Sequence, residues 1–237
     1  MKSKLIFFCS FYFTLAFMVT SVTATLSYGI GQIAMAKYLG YDASIHFNRV
    51  YWDRASVEEE LQDIYNAYPF EIDQQISFPG EDIYWDKKEK LNRDELYITL
   101  GGPLIILFIG LFGYLGLMFN KKRILSFGLR IIDWGMIFLS MFFLRYVFNL
   151  FVPRLISMPE SSPYYLEENE VKLSGLLGLP AEGLSVVLGT IGILASLYVI
   201  LTIIPEYLRL SFIFSSFLGG GLGLFLWMEL LGPVLMP

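Results

Sequence analysis

A chain of 237 residues with 55% hydrophobic and 17% aromatic side chains but only 16% charged ones has too little polar surface for an ordinary water-soluble domain. Its 22 acids against 17 bases give a formal net charge of -5, which excludes a general attraction to nucleic acid. One cysteine, Cys9, and one histidine, His46, exclude an intrachain disulfide, a cysteine zinc or iron–sulfur site, and a metal held by several histidines; no cofactor is expected.

Crossing a bilayer takes about 20 mostly apolar residues at about 1.5 Å each, and five runs are long enough. The first runs from Leu5 to Tyr38. Its start, with Lys2, Lys4 and Val22-Thr23-Ala24, has the three-part form of a cleavable signal peptide over residues 1–24. Apolar residues resume at once through Leu26, Ile30, Ile33, Ala34 and Met35, which predicts one long helix over residues 1–39 instead.

Residues 40–95 hold most of the charge: 14 of the 22 acids fall between Asp42 and Glu95. A stretch this long predicts a small folded cap of mixed α and β structure outside the membrane. Ile45, Phe47, Val50 and Tyr51 alternate roughly among polar residues, as in a short strand. Ser56 with Glu59 has the capping-box spacing and predicts a helix start, with Val57, Leu61, Ile64 and Tyr68 on one stripe and Pro69 as its limit. Phe78-Pro79-Gly80-Glu81 reads as a turn, and Asn92 with Glu95 repeats the capping pattern before the second span. Tyr84, Trp85 and Tyr97 suit a membrane interface.

Residues 96–237 carry four more spans: Tyr97–Phe119, Phe127–Val152, Leu184–Ile204 and Leu210–Leu231, with an acidic outer loop at 153–182 that should pack against the cap. Every backbone amide in lipid needs an internal partner, so each span is helical. Gly110, Gly113 and Gly116, then Gly189 and Gly192, then Gly219 and Gly223 form small-residue faces suited to close helix approach, within the chain or between subunits. Pro103 has no amide to offer the Thr99 carbonyl and predicts a kink. The fold class is thus all-α: a polytopic bundle of about five transmembrane helices with a small α+β cap.

Lys2, Lys4, Lys121, Lys122, Arg123, Arg130 and Arg209 crowd three short segments on one side of a five-span layout, which places the amino terminus inside and the carboxyl terminus outside, in an inner (plasma) membrane. Lys87, Lys88, Lys90 and Arg93 pull the other way. Ionisable groups deep in a span cost about 3 kcal/mol or more. Arg145 and Glu229 stand at matching depths and are expected to pair, with Asn149 one turn from Arg145. Asp133, three residues after Arg130, has the spacing of a local ion pair.

Ala36-Lys37-Tyr38-Leu39-Gly40 resembles the run that follows the His-Glu-x-x-His motif of the site-2 protease family of intramembrane zinc metalloproteases. The alignment puts Tyr28, Gly29 and Gln32 where the first His, the Glu and the second His would stand. Gly101-Gly102-Pro103-Leu104 is similar to the family's Gly-Pro-Leu segment, with Ile106 at the usual asparagine, and Asn149-Leu150-Phe151-Val152-Pro153 is weakly similar to its Asn-x-x-Pro, with no Asp-Gly after it. The resemblance covers about the first 40 residues and two short patches, and implies a pseudoprotease, because Tyr, Gly and Gln cannot supply three zinc ligands.

Other intramembrane hydrolases fail on inventory: a rhomboid-like site needs a histidine within a span, and a presenilin-like dyad needs a second intramembrane aspartate beside Asp133. The expectation is a non-catalytic integral membrane scaffold or complex subunit whose partners are the bilayer and other membrane subunits. The alternatives are a small transporter or channel component using Arg145, Glu229 and Asp133, and a metalloprotease-like hydrolase with an unrecognised site, for example acids from Glu167, Glu168 and Glu170.

Overall fold

The computed structural model describes residues 2–47, 49–156 and 169–236. Helix α1 (Lys2–Tyr38) contains no proline and runs unbroken for 37 residues. Phe13 and Phe17, within the stretch that has signal-peptide form, lie buried in the bundle core. The chain turns at Gly40, whose φ of +89° is a left-handed conformation that glycine adopts without a side-chain penalty.

The alternating segment that follows is a hairpin, with β1 (Ala43–Ile45) antiparallel to β2 (Val50–Trp52) and Ile45 opposite Val50. Next come α2 (Ala55–Ala67) and α3 (Pro69–Asp73), Pro69 closing the first and opening the second. The Ser56 capping box does not form. Asp53, nearer the free helix end, accepts the Ala55 amide at 3.1 Å and so brings the start forward, leaving Ser56 inside the first turn. Ile72, Phe78 and Tyr84 make the cap's own small core, with Leu61, Ile64, Tyr65 and Tyr68 against it.

The Phe78–Glu81 turn closes with the Glu81 amide on the Phe78 carbonyl at 3.1 Å, and Gly80 at φ +86°. It launches α4 (Glu81–Phe127), 47 residues in one helix and about 70 Å long at the standard rise. Asn92 and Glu95 therefore cap nothing, and the expected boundary between residues 95 and 96 falls inside a continuous helix. The reason is local: residues 81–96 contain neither glycine nor proline, and their Glu, Asp, Lys, Arg and Leu are mostly good helix formers. Pro103 lies within α4, and the Tyr146 hydroxyl donates to the Pro103 carbonyl at 2.6 Å.

The third span is α5 (Ile131–Ser140), a buried 3-10 turn (Met141–Phe143) and α6 (Leu144–Ile156). Beyond it lie the short α7 (Asn169–Leu176), α8 (Gly183–Thr202) and α9 (Glu206–Phe225), which continues through a π turn (Leu226–Leu231) into α10 (Gly232–Leu235). Five of these rods are long and apolar enough to cross a membrane. One end of the bundle carries the cap; we call it the cap side and the other the far side.

The small-residue faces bring the chain's own helices together. A Cβ on Gly31 of α1 would strike the Gly101 carbonyl of α4, and one on Gly101 would strike Gly31. Gly223 of α9 approaches the Met18 carbonyl of α1, 2.6 Å from where its Cβ would lie. Gly113 and Gly192 flank the 3-10 turn, facing Met136 and Phe143 carbonyls at 2.7 and 2.6 Å from their would-be Cβ positions. In lipid such close approach replaces the hydrophobic effect as the cohesive force between helices. One core layer near the far side gathers Phe13, Phe17, Ile137, Met141, Ile204 and Phe212; a second, nearer the cap, gathers Tyr28, Ile106, Phe142, Phe143 and Tyr146.

The hairpin is tied down from two directions. Phe47 donates its amide to the Met236 carbonyl at 3.1 Å, and its carbonyl accepts the Trp227 indole N–H at 2.7 Å. Ile45 meanwhile packs on Gly29 of α1.

Candidate functional site

Under the hairpin, among α1, α4, α6 and α7, lies a partly enclosed cavity of about 110 Å³. Its geometry starts from Tyr28, which is 3% exposed. The ring fits because residue 102 of α4 is glycine: a Cβ there would collide with it. Above the ring sits the Arg145 guanidinium, its central carbon 4.3 Å from the centroid, a distance at which the cation is attracted to the ring face. Arg145 Nη1 donates to Thr25 Oγ1 at 3.0 Å, one turn before Tyr28 on α1. Gln32, one turn after Tyr28, is 7% exposed and lines the same cavity. His46, Arg49, Thr99, Asn169 and Lys172 complete its polar walls.

Two polar atoms at this joint are buried without a hydrogen bond: the Tyr28 hydroxyl, with Asn169 nearby, and Arg145 Nε. Behind them Asn149 donates to Glu170 Oε1 at 3.2 Å, and Glu170 is only 4% exposed. The described end of the outer loop, α7, packs against the cap half of α4 through Lys172 Nζ on Glu95 Oε1 at 2.6 Å. Glu95 also takes Arg54 Nη1 at 3.2 Å, so one carboxylate links α2, α4 and α7.

A second tie joins the start of the hairpin to α4: the Tyr41 hydroxyl donates to Asp94 Oδ2 at 2.7 Å. Burial, followed by this bond and the carboxylate charge, pushes the Tyr41 phenol up to about 12. A raised pKa means that the folded state holds the proton more tightly. The stabilisation is full below about 10, the unfolded value, and is lost as pH rises through about 12. Melting temperatures from pH 9 to 12 should show an alkaline loss in the wild type that is reduced in Tyr41→Phe; equal losses would show that this bond does not set it.

The expected Arg145–Glu229 pair does not form. Glu229 is exposed on the π turn between the buried Trp227 and Met228 on one side and the exposed Leu230 and Leu231 on the other, while Arg145 turns to α1. Asn149 serves Glu170 rather than Arg145.

Asp133 does not pair with the Arg130 side chain. It accepts the Arg130 backbone amide at 2.7 Å, closing the start of α5, and its other oxygen takes Arg123 of α4. A short carboxylate at the third position of a helix reaches the free amide more readily than a guanidinium on its own helix. This puts Asp133 at the far side, remote from the cavity, as a structural clasp.

Of the residues singled out in the sequence, the structure thus gathers Tyr28, Gly29, Gln32 and Arg145 around one cavity, with Asn149 behind it, and leaves Glu229 and Asp133 elsewhere. Thr25, Asn169 and Lys172 complete the arrangement without a sequence signal, since periodicity and motif spacing mark neither a hydroxyl inside α1 nor polar residues in a loop; Glu170, named above with the loop acids, joins it through Asn149. Among the described residues no three of His, Cys, Asp and Glu assemble as metal ligands; Glu167 and Glu168 lie outside the described residues. No family model matches the chain, and no curated protein or solved structure matches it either.

Proposed function

We propose that this chain is a non-catalytic integral membrane protein acting as a scaffold or complex subunit, on a framework like that of the site-2 proteases. One observation carries the reading. At the three positions of the zinc motif, Tyr28 is stacked under Arg145 and pressed on Gly102, Gly29 receives Ile45 of the hairpin, and Gln32 is a neutral amide. A metalloprotease centre needs ligand side chains there and an open coordination position; this joint offers packing instead.

The cap gives the scaffold a surface to present. Helix α2 buries none of its residues fully and turns Glu58, Glu59, Glu60 and Asp63 outward. Lys121, Lys122, Arg123 and Arg209 at the far side place that side inward, the cap outward, in this reading. Purification in mild detergent should return a second membrane protein in fixed stoichiometry. A clean monomer at all concentrations overturns the subunit reading, and stoichiometric zinc in the purified protein overturns the non-catalytic one.

Arg145 and its cavity sustain a second reading, a small transporter or channel component. Flux in reconstituted vesicles that disappears on changing Arg145 would replace the scaffold with it.

A further inference from the structure

We propose that the cavity under the hairpin binds an oxyanion of the phosphate type, held chiefly by Arg145. The inference goes beyond the scaffold reading and does not depend on it.

The walls of the cavity are the first ground. Acids outnumber bases in the chain, 22 to 17, and gather on the cap side, yet among the described residues no acid lines the cavity, while Arg49, Arg145 and Lys172, the last also paired with Glu95, do. The neutral polar groups around them, Gln32, Asn169 and the Tyr28 hydroxyl, all carry N–H or O–H donors. A cavity of about 110 Å³ accommodates several waters, each needing about 10–15 Å³ by the same kind of measure, or one small tetrahedral anion.

The second ground is the guanidinium itself. The Arg145 guanidinium lies over the Tyr28 ring and its Nη1 is tied to Thr25, so its position is held from two directions. Nε is buried without a partner, and Nη2 makes no hydrogen bond to any described residue. The Nε–Nη2 edge is the one that takes two oxygens of a phosphate or carboxylate in parallel bonds. The nearby carboxylate of Glu170 is engaged by Asn149 and forms no described ion pair with Arg145. Tyr28, whose ring lies against the same guanidinium, adds a buried hydroxyl that makes no hydrogen bond of good geometry, with the Asn169 side chain near it. An unpaired hydroxyl and an unpaired guanidinium edge in one joint are costly without a ligand and complementary to an oxyanion with one.

The anion has two possible sources with one chemistry, a lipid headgroup or a free phosphate. The test uses the full chain in a phosphate-free, uncharged detergent and follows melting temperature and binding against inorganic phosphate in one arm and phosphatidylglycerol in mixed micelles in the other. We expect saturable stabilisation of the wild type in one arm, which identifies the source. Arg145→Lys keeps the charge but loses the paired donors, and should bind at least about tenfold more weakly, the equivalent of one lost charge-assisted bond. Tyr28→Phe should fold as well as the wild type and bind more weakly. Lys88→Gln, a cap cation outside the cavity, should bind like the wild type. Absence of saturable binding in both arms overturns the proposal. So does unchanged affinity in both Arg145→Lys and Tyr28→Phe; if Arg145→Lys does not fold, Tyr28→Phe with Lys172→Gln decides in its place, and unchanged affinity in that pair is equally fatal.

Discussion

Gly101→Ala should destabilise the bundle by about 3 kcal/mol, the upper range for forcing atoms into a packed contact, whereas Gly221→Ala should be neutral or stabilising by up to about 1 kcal/mol. The two substitutions are chemically identical and both lie in helices. They differ in what the new methyl meets: at Gly101 the backbone of Gly31 across the α1–α4 crossing, at Gly221 open space. Neither helix can relieve the clash by turning a side chain, because the atoms in contact are main chain. The helices must separate, and with them Tyr28 and Gln32, one turn or less from Gly31, leave the cavity wall. Melting temperature in a single detergent, with wild type alongside, checks both; equal values for the two variants would mean that the α1–α4 crossing is not as close as described.

Asp133→Ala is expected to cost about 3–5 kcal/mol, the range for removing one partner of a buried ion pair. Asp133 has 4% of its side chain exposed and is the only described ion-pair partner of Arg123, whose Nη1 is already buried without a hydrogen bond. Removing the carboxylate strands a guanidinium at the far side and frees the Arg130 amide at the start of α5. Replacing both members, Arg123→Met with Asp133→Leu, should recover much of the loss, since apolar pairs of similar volume often substitute for buried ions. Unfolding followed by circular dichroism in detergent reads the three variants. A single variant as stable as wild type would show that the clasp contributes nothing.

The spans are legible in the sequence because lipid allows one solution to an apolar run of that length, and run ends agree with helix ends to within two residues at α8, while α9 starts four residues before the expected run. The start of α4 is not legible for a physical reason. Charged residues from Asp82 to Glu95 mark water exposure, and exposure suggests loop, but the same side chains are compatible with a helix once Gly80 has launched it. Likewise depth arithmetic ranks Arg145 and Glu229 by height along the bundle and carries no information on which face each presents. The neighbours of Arg145, Thr25 and Tyr28, become visible only when α1 is seen to cross α4 at paired glycines. The protease-like spacing nevertheless points to Tyr28, Gly29 and Gln32, and all three line the cavity.

Because α4 is continuous from Glu81 to Phe127, the cap shares one helix with the apolar bundle. The 16 residues from Glu81 to Leu96 extend about 24 Å beyond the apolar stretch at 1.5 Å per residue. A helix that leans by 10° to match a thinner membrane carries the far tip of such an arm sideways by about 4 Å. The Arg54, Lys172 and Tyr41 ties oblige α2, α7 and the hairpin to follow that motion or to strain against it. A change in the tilt of α4 would therefore be passed on to the roof of the cavity.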